Sequence, residues 1–98
     1  MKLVVIEPLG VERERIEQLA AKMLPEAALT IYDTRTTDEE ELVARGRDAD
    51  VIILANLPLN ANVLNGCKNL KLLSVAFTGV DHIDMGTCRK NGITVCNS

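Results

Sequence analysis

Several groups of residues have the types and spacing to do chemistry. Asp81-His82-Ile83-Asp84 places an imidazole between two carboxylates, an arrangement that moves protons or holds a metal ion. All three lie within four positions and the chain has 1 His, so local capping by the two Asp residues beside a surface His accounts for them. The run Asp38-Glu39-Glu40-Glu41 would attract cations, but acidic residues in a helix's first turn also complement its dipole. Cys67, Cys88 and Cys96 follow one another at spacings of 21 and 8; neither makes a Cys-x-x-Cys site, and ordinary reduced thiols of a cytoplasmic protein are expected. The segment Ala76-Phe77-Thr78-Gly79-Val80 is more suggestive. Gly79 either makes a turn or lets the backbone approach a ligand, and successive N–H groups beside a glycine can form an anion-binding nest.

The elements that must position these groups follow from periodicity. Leu3–Ile6, Ala28–Tyr32, Val51–Ala55, Leu72–Ala76 and Ile93–Cys96 read as strands. Between the first two, Ile16, Leu19, Ala20 and Met23 form one apolar helical stripe, ended by Pro25. Thr37 to Glu40 reads as a capping box opening a helix to about Gly46. A short helix is expected around 62–65. Asp84 caps a further helix from Met85 to Asn91, with Gly92 as its stop. Strands that are apolar throughout, alternating with helices, predict an α/β fold. It is a doubly wound, flavodoxin-like parallel sheet of five strands in the order 2-1-3-4-5. No helix follows the last strand, so the chain reads as part of something longer.

The chain has 98 residues, 47% hydrophobic and 26% charged, with a net charge of −3. That is one domain with a core of its own. Mild acidity and 2% aromatics count against nucleic acid. The opening apolar run is too short for a signal peptide or a membrane span, so a cytoplasmic protein is expected. Residues 1–50 carry 7 basic and 12 acidic side chains and residues 51–98 carry 4 and 2, so the second half is the better host for an anion.

Ligands of such sheets bind at the carboxyl ends of the strands. Glu7-Pro8-Leu9-Gly10 lacks the hydroxyls of a flavin-phosphate loop. Asn56-Leu57-Pro58-Leu59-Asn60 offers no Asp for phosphorylation, and Asn97-Ser98 no receiver lysine. The loop at 76–84 is left as the informative one.

In residues 49–98 that loop is flanked by Ala49-Asp50-Val51-Ile52-Ile53, Leu70-Lys71-Leu72-Leu73-Ser74-Val75 and Asn91-Gly92-Ile93-Thr94-Val95. With Thr78-Gly79-Val80-Asp81-His82-Ile83-Asp84 at its centre, this stretch resembles the substrate-binding domain of the D-isomer-specific 2-hydroxyacid dehydrogenases. Residues 1–48 match only in pattern. The resemblance implies that residues 1–98 are the N-terminal segment of that domain. It implies that the backbone N–H groups of Thr78 and Gly79 hold a substrate carboxylate, and that Asn56, Leu57 and Phe77 border the same cleft. It places the catalytic Arg, Glu and His, and the NAD or NADP site, in a Rossmann domain of the same parent polypeptide. No catalytic, cofactor-binding or metal-binding residue is therefore expected in residues 1–98, and His82 inherits no catalytic role. Gly86 departs from the family's usual helix former. The implied partner is a small 2-oxo or 2-hydroxy acid, with no nucleic acid and no membrane. The other reading is a stand-alone flavodoxin-like signalling or small-molecule binding module. With the last strand at an edge, apolar surface near Ile93 and Val95 is expected to stay open and to favour a homodimer.

Overall fold

Runs of β-branched and aliphatic residues bounded by turn formers make the strands, and the polar, helix-period stretches between them make the helices. The computed structural model describes residues 1–23, 25–76 and 79–97, and of Met23 and Asn97 the backbone only. The elements are β1 (Lys2–Val5), α1 (Arg13–Met23), β2 (Ala28–Ile31), α2 (Glu39–Gly46), β3 (Val51–Leu54), α3 (Ala61–Gly66), β4 (Leu72–Val75), α4 (Met85–Asn91) and β5 (Thr94–Asn97). Every neighbouring pair of strands is parallel, in the order β2-β1-β3-β4-β5. The fold class and strand order are those expected from the sequence.

Alternation along the strands separates two faces. Val4, Ile6, Ile52, Leu54, Leu73 and Val75 share one buried cluster with Leu42 of α2, Val63 and Leu64 of α3 and Cys88 of α4. On the opposite face Leu3, Val5 and Val51 are buried, as is Ile16 of α1. That face thins toward β5: Ile53, Leu72 and Ser74 are half-buried, and Thr94 and Cys96 are exposed. The expected opening near Ile93 and Val95 is thus on the wrong side. Ile93 is buried and Val95 packs against the α2–α4 cluster, because alternation turns both toward the covered face.

Three local expectations also change. In α1, Ile16 is buried but Leu19 is 53% exposed, since among the described residues no helix lies beside α1 on that face. The capping box does not form. Asp38, not Thr37, is the N-cap of α2 and makes no side-chain cap bond, while the Glu39 carboxylate accepts from Asn60 and Asn62 at the start of α3. Gly46 ends α2 for a packing reason: a Cβ there would come within 2.9 Å of Cys67 Sγ and Ile52 Cδ1. The ends of α4 are as read. Asp84 Oδ1 accepts from Thr87 N at 3.1 Å, and Gly92 adopts the left-handed conformation, φ 72°, that suits glycine.

Candidate functional site at the carboxyl edge

The residue after β1 organises this edge. Glu7 is 2% exposed, and a carboxylate so placed must be satisfied by donors. Its Oε2 accepts from Ala55 N at 2.9 Å and Leu57 N at 2.8 Å. Glu7 thereby pins the loop after β3 to the end of β1. Its Oε1 lies 3.9 Å from Arg35 Nε, and Arg35 Nη1 donates to Asn56 Oδ1 at 3.1 Å.

The loop between β2 and α2, which carries Arg35, is held by a second arginine. Arg45 is 8% exposed. Its Nη1 donates to Ile6 O at 3.0 Å and Thr34 O at 2.6 Å, and its Nη2 to Thr34 Oγ1 at 2.9 Å. The guanidinium also lies over the Tyr32 ring, 4.5 Å from its centroid, a favourable cation–π placement. A buried arginine with this many acceptors fixes the course of 32–36. Sequence reading missed Glu7, Arg35 and Arg45 as site-forming residues. The available signals were a carboxylate directly after an apolar strand and an arginine one turn after Leu42 on the inward stripe of α2.

The loops after β3 and β4 are joined by backbone. Leu59 N donates to His82 O at 3.1 Å, and Asp84 N donates to Leu59 O at 3.1 Å, making a parallel bridge between Leu59 and Ile83. The strap brings the 56–60 segment against the 80–84 segment. It unites the two loops singled out from the sequence. Asn56 is exposed at the rim. Leu57 has no solvent exposure and its N–H is taken by Glu7, so its side chain serves the core rather than a cleft. A Cβ on Gly79 meets nothing within 4 Å among the described residues. Phe77 and Thr78 lie outside the described residues.

His82 is half-buried rather than on the surface, and its Nε2 has no hydrogen-bond partner among the described residues. Among the described residues no three His, Cys, Asp or Glu gather as a metal site, and no helix is long and apolar enough to cross a membrane. The two buried thiols, Cys67 and Cys88, are not activated. Burial pushes Cys67 up to about 11, and burial, then the Asp84 charge, raises Cys88. The β1–α1 turn carries no Gly-x-Gly-x-x-Gly run, the pattern by which such turns receive a dinucleotide pyrophosphate.

The structure is an open parallel α/β sheet of flavodoxin-like order whose carboxyl-edge loops are strapped together. The family is equally definite. Residues 3–98 match the model of the D-isomer specific 2-hydroxyacid dehydrogenase catalytic domain, and the chain belongs to that family. The match extends the resemblance from residues 49–98 to nearly the whole chain. The chain is 31% identical over 98 residues to a hydroxypyruvate reductase of Blautia hydrogenotrophica, covering 99% of this chain and 30% of that protein. It is 27% identical over 86 residues to the D-3-phosphoglycerate dehydrogenase of Homo sapiens, covering 87% of this chain and 16% of that one. Among solved structures it superimposes on the NAD+-bound 3-phosphoglycerate dehydrogenase of Entamoeba histolytica with a TM-score of 0.84 and 21% identity, over 99% of this chain and 32% of that one. The chain thus spans about a third or less of the relatives it matches.

Proposed function

We propose that the chain is the substrate-binding part of an NAD(P)-dependent D-2-hydroxyacid dehydrogenase, which transfers a hydride between the nicotinamide and a 2-oxo or D-2-hydroxy acid. The backbone N–H groups of Thr78 and Gly79 hold the substrate carboxylate. Phe77 and Asn56 border it, and Leu57 supports the floor from within the core. The observation that carries this reading is the Leu59–Ile83 strap, which presents the 56 and 79 loops as one rim where α/β sheets bind ligands. Fixed N–H donors register a carboxylate without ordering a side chain. The nicotinamide and the acid–base groups belong to a Rossmann domain of the same polypeptide, the enzyme is cytoplasmic, and this chain pairs as a homodimer through the β5 side of its sheet. The family membership, the hydroxypyruvate reductase relative and the phosphoglycerate dehydrogenase relatives support this reading.

The test is Gly79→Val in the natural polypeptide that carries this chain. Among the described residues a Cβ at Gly79 meets nothing within 4 Å, so the thermal midpoint should hold while kcat/KM for hydroxypyruvate falls by roughly 10²-fold, mainly through KM. Thr78→Ala should change little, because its N–H remains. The isolated chain should neither bind NADH nor reduce pyruvate or hydroxypyruvate. A Gly79→Val enzyme with unchanged kcat/KM removes the loop from the site.

A further inference from the structure

We propose that Arg35 reads a second anionic group, a phosphate or a carboxylate, on the 2-oxo acid substrate; this rests on the substrate site proposed above. Among the described residues, the loops that leave the carboxyl ends of the strands comprise 6–12, 32–38, 55–60, 76 and 79–84, and Arg35 is the one Arg or Lys in them. It starts from the loop after β2, two strands away from β3 in the sheet. Yet its Nη1 reaches Asn56 Oδ1 at 3.1 Å. The side chain therefore crosses the end of β1 and lies against the substrate rim.

Two neighbours hold it there. Asn56 accepts from one end of the guanidinium, and the Glu7 carboxylate stands 3.9 Å from Nε. Glu7 is itself fixed by Ala55 N and Leu57 N, so the arginine rests on a built support. Its side chain remains 47% exposed, and Nη2 has no partner among the described residues. A planar guanidinium with a donor edge open matches the paired oxygens of carboxylate or phosphate.

The spacing suits one molecule. Neighbouring strands lie about 4.8 Å apart, and the Asn56 loop after β3 adjoins the Gly79 loop after β4. A carboxylate at Gly79 and an anion at Arg35 would be separated by roughly one to two strand spacings. A three- or four-carbon 2-oxo acid carrying a terminal anion spans the lower end of that range, about one strand spacing. The alternative is that Arg35 only offsets the Glu7 charge. In that case its removal changes stability and treats all substrates alike.

The experiment uses the natural polypeptide, NADH or NADPH, and three probes: hydroxypyruvate, 3-phosphohydroxypyruvate and oxaloacetate. The expected result is a higher kcat/KM for at least one doubly anionic probe than for hydroxypyruvate. Arg35→Ala should lower that value about 10- to 100-fold, the weight of one charge-assisted hydrogen bond. The value for hydroxypyruvate should move less than about 3-fold. Arg35→Lys should retain part of the preference, and the two dianions distinguish phosphate from carboxylate. Where Arg35→Ala does not fold, Arg35→Met keeps the apolar stem without the charge and should give the same selective loss. A wild-type enzyme that favours hydroxypyruvate over both dianions, or an Arg35→Ala loss equal for all probes, overturns the role of Arg35 and leaves the proposed function standing. Failure of the wild type to reduce any of the three overturns the proposed function, and this inference with it.

Discussion

Leu72 and Leu73 are adjacent in β4, yet Leu73 has no solvent exposure and Leu72 is half-buried. The same contrast runs across the sheet. On the Leu73 side, α2, α3 and α4 close over β1, β3 and β4. On the Leu72 side, α1 covers the β1 end and the surface grades through Ile53 and Ser74 to exposed Thr94 and Cys96. A parallel sheet is ordinarily covered on both faces. One face here is a finished core. The other stays partly open among the described residues, and its exposed residues nearest β5, Thr94 and Cys96, limit how apolar it is.

The strongest way to break this contrast is truncation on either side of it. Leu73→Ala should cost about 2–5 kcal/mol, because it removes transfer energy and leaves a cavity in a closed cluster. Leu72→Ala in the isolated chain should cost under about 1.5 kcal/mol, since part of the side chain is already in water. Urea midpoints measure both. Repeating the pair in the natural polypeptide sharpens the comparison. A Leu72→Ala cost that climbs toward that of Leu73→Ala means that another segment or subunit covers the open face. Equal costs in the isolated chain would refute the asymmetry.

The two faces meet at the carboxyl edge, where Glu7 ties β1 to the loop after β3. Glu7→Ala leaves the N–H groups of Ala55 and Leu57 without their acceptor, and should cost about 2–4 kcal/mol. Glu7→Gln keeps one oxygen for both but turns an amide toward Arg35, and should cost less. Amide hydrogen exchange at Ala55 and Leu57 should rise in Glu7→Ala before exchange in β3 does. Uniform loss of protection instead would mean that Glu7 supports the whole core and not this loop.

The regular part of this molecule was legible because it depends on local pattern. Strand order followed from apolar runs alternating with helices, and the ends of α4 from Asp84 and Gly92, whose roles need only near neighbours. What escaped depends on residues far apart in the chain. Glu7 is 48 positions from Ala55 and 50 from Leu57, whose N–H groups it accepts from. Arg45 is 39 from Ile6, and Gly46 is small because of Cys67 and Ile52. Periodicity also assigned Leu19 to a core that needs a neighbouring helix on its face. The 56 and 79 loops could each be nominated from the sequence, but not their strap, which joins backbone groups of Leu59, His82 and Asp84.

The gentlest probe of the two faces is the set of thiols, which the fold distributes between them. Cys67 and Cys88 are buried in the α2–α4 cluster, and Cys96 is exposed on the open side. The thiolate is the reacting species. With Cys67 raised to about 11, only about one molecule in a thousand holds it ionised at pH 8, by the ordinary titration relation. A small disulfide reagent at pH 8 should therefore label Cys96 first in the isolated chain, with Cys67 and Cys88 following only as the chain unfolds. The same burial gives a pH signature. An unfolded Cys67 loses its proton near its ordinary value of 9.0, while the folded one holds it to about 11. The folded state then binds more protons than the unfolded state between those values, so stability is intact below pH 9 and falls as pH rises toward 11. Cys67→Ala should flatten that slope, whereas Cys96→Ala should leave it unchanged. Fast labelling of all three thiols would show that the covered face opens as readily as the other. Protection of Cys96 in the natural polypeptide would show that its face is closed by what packs there.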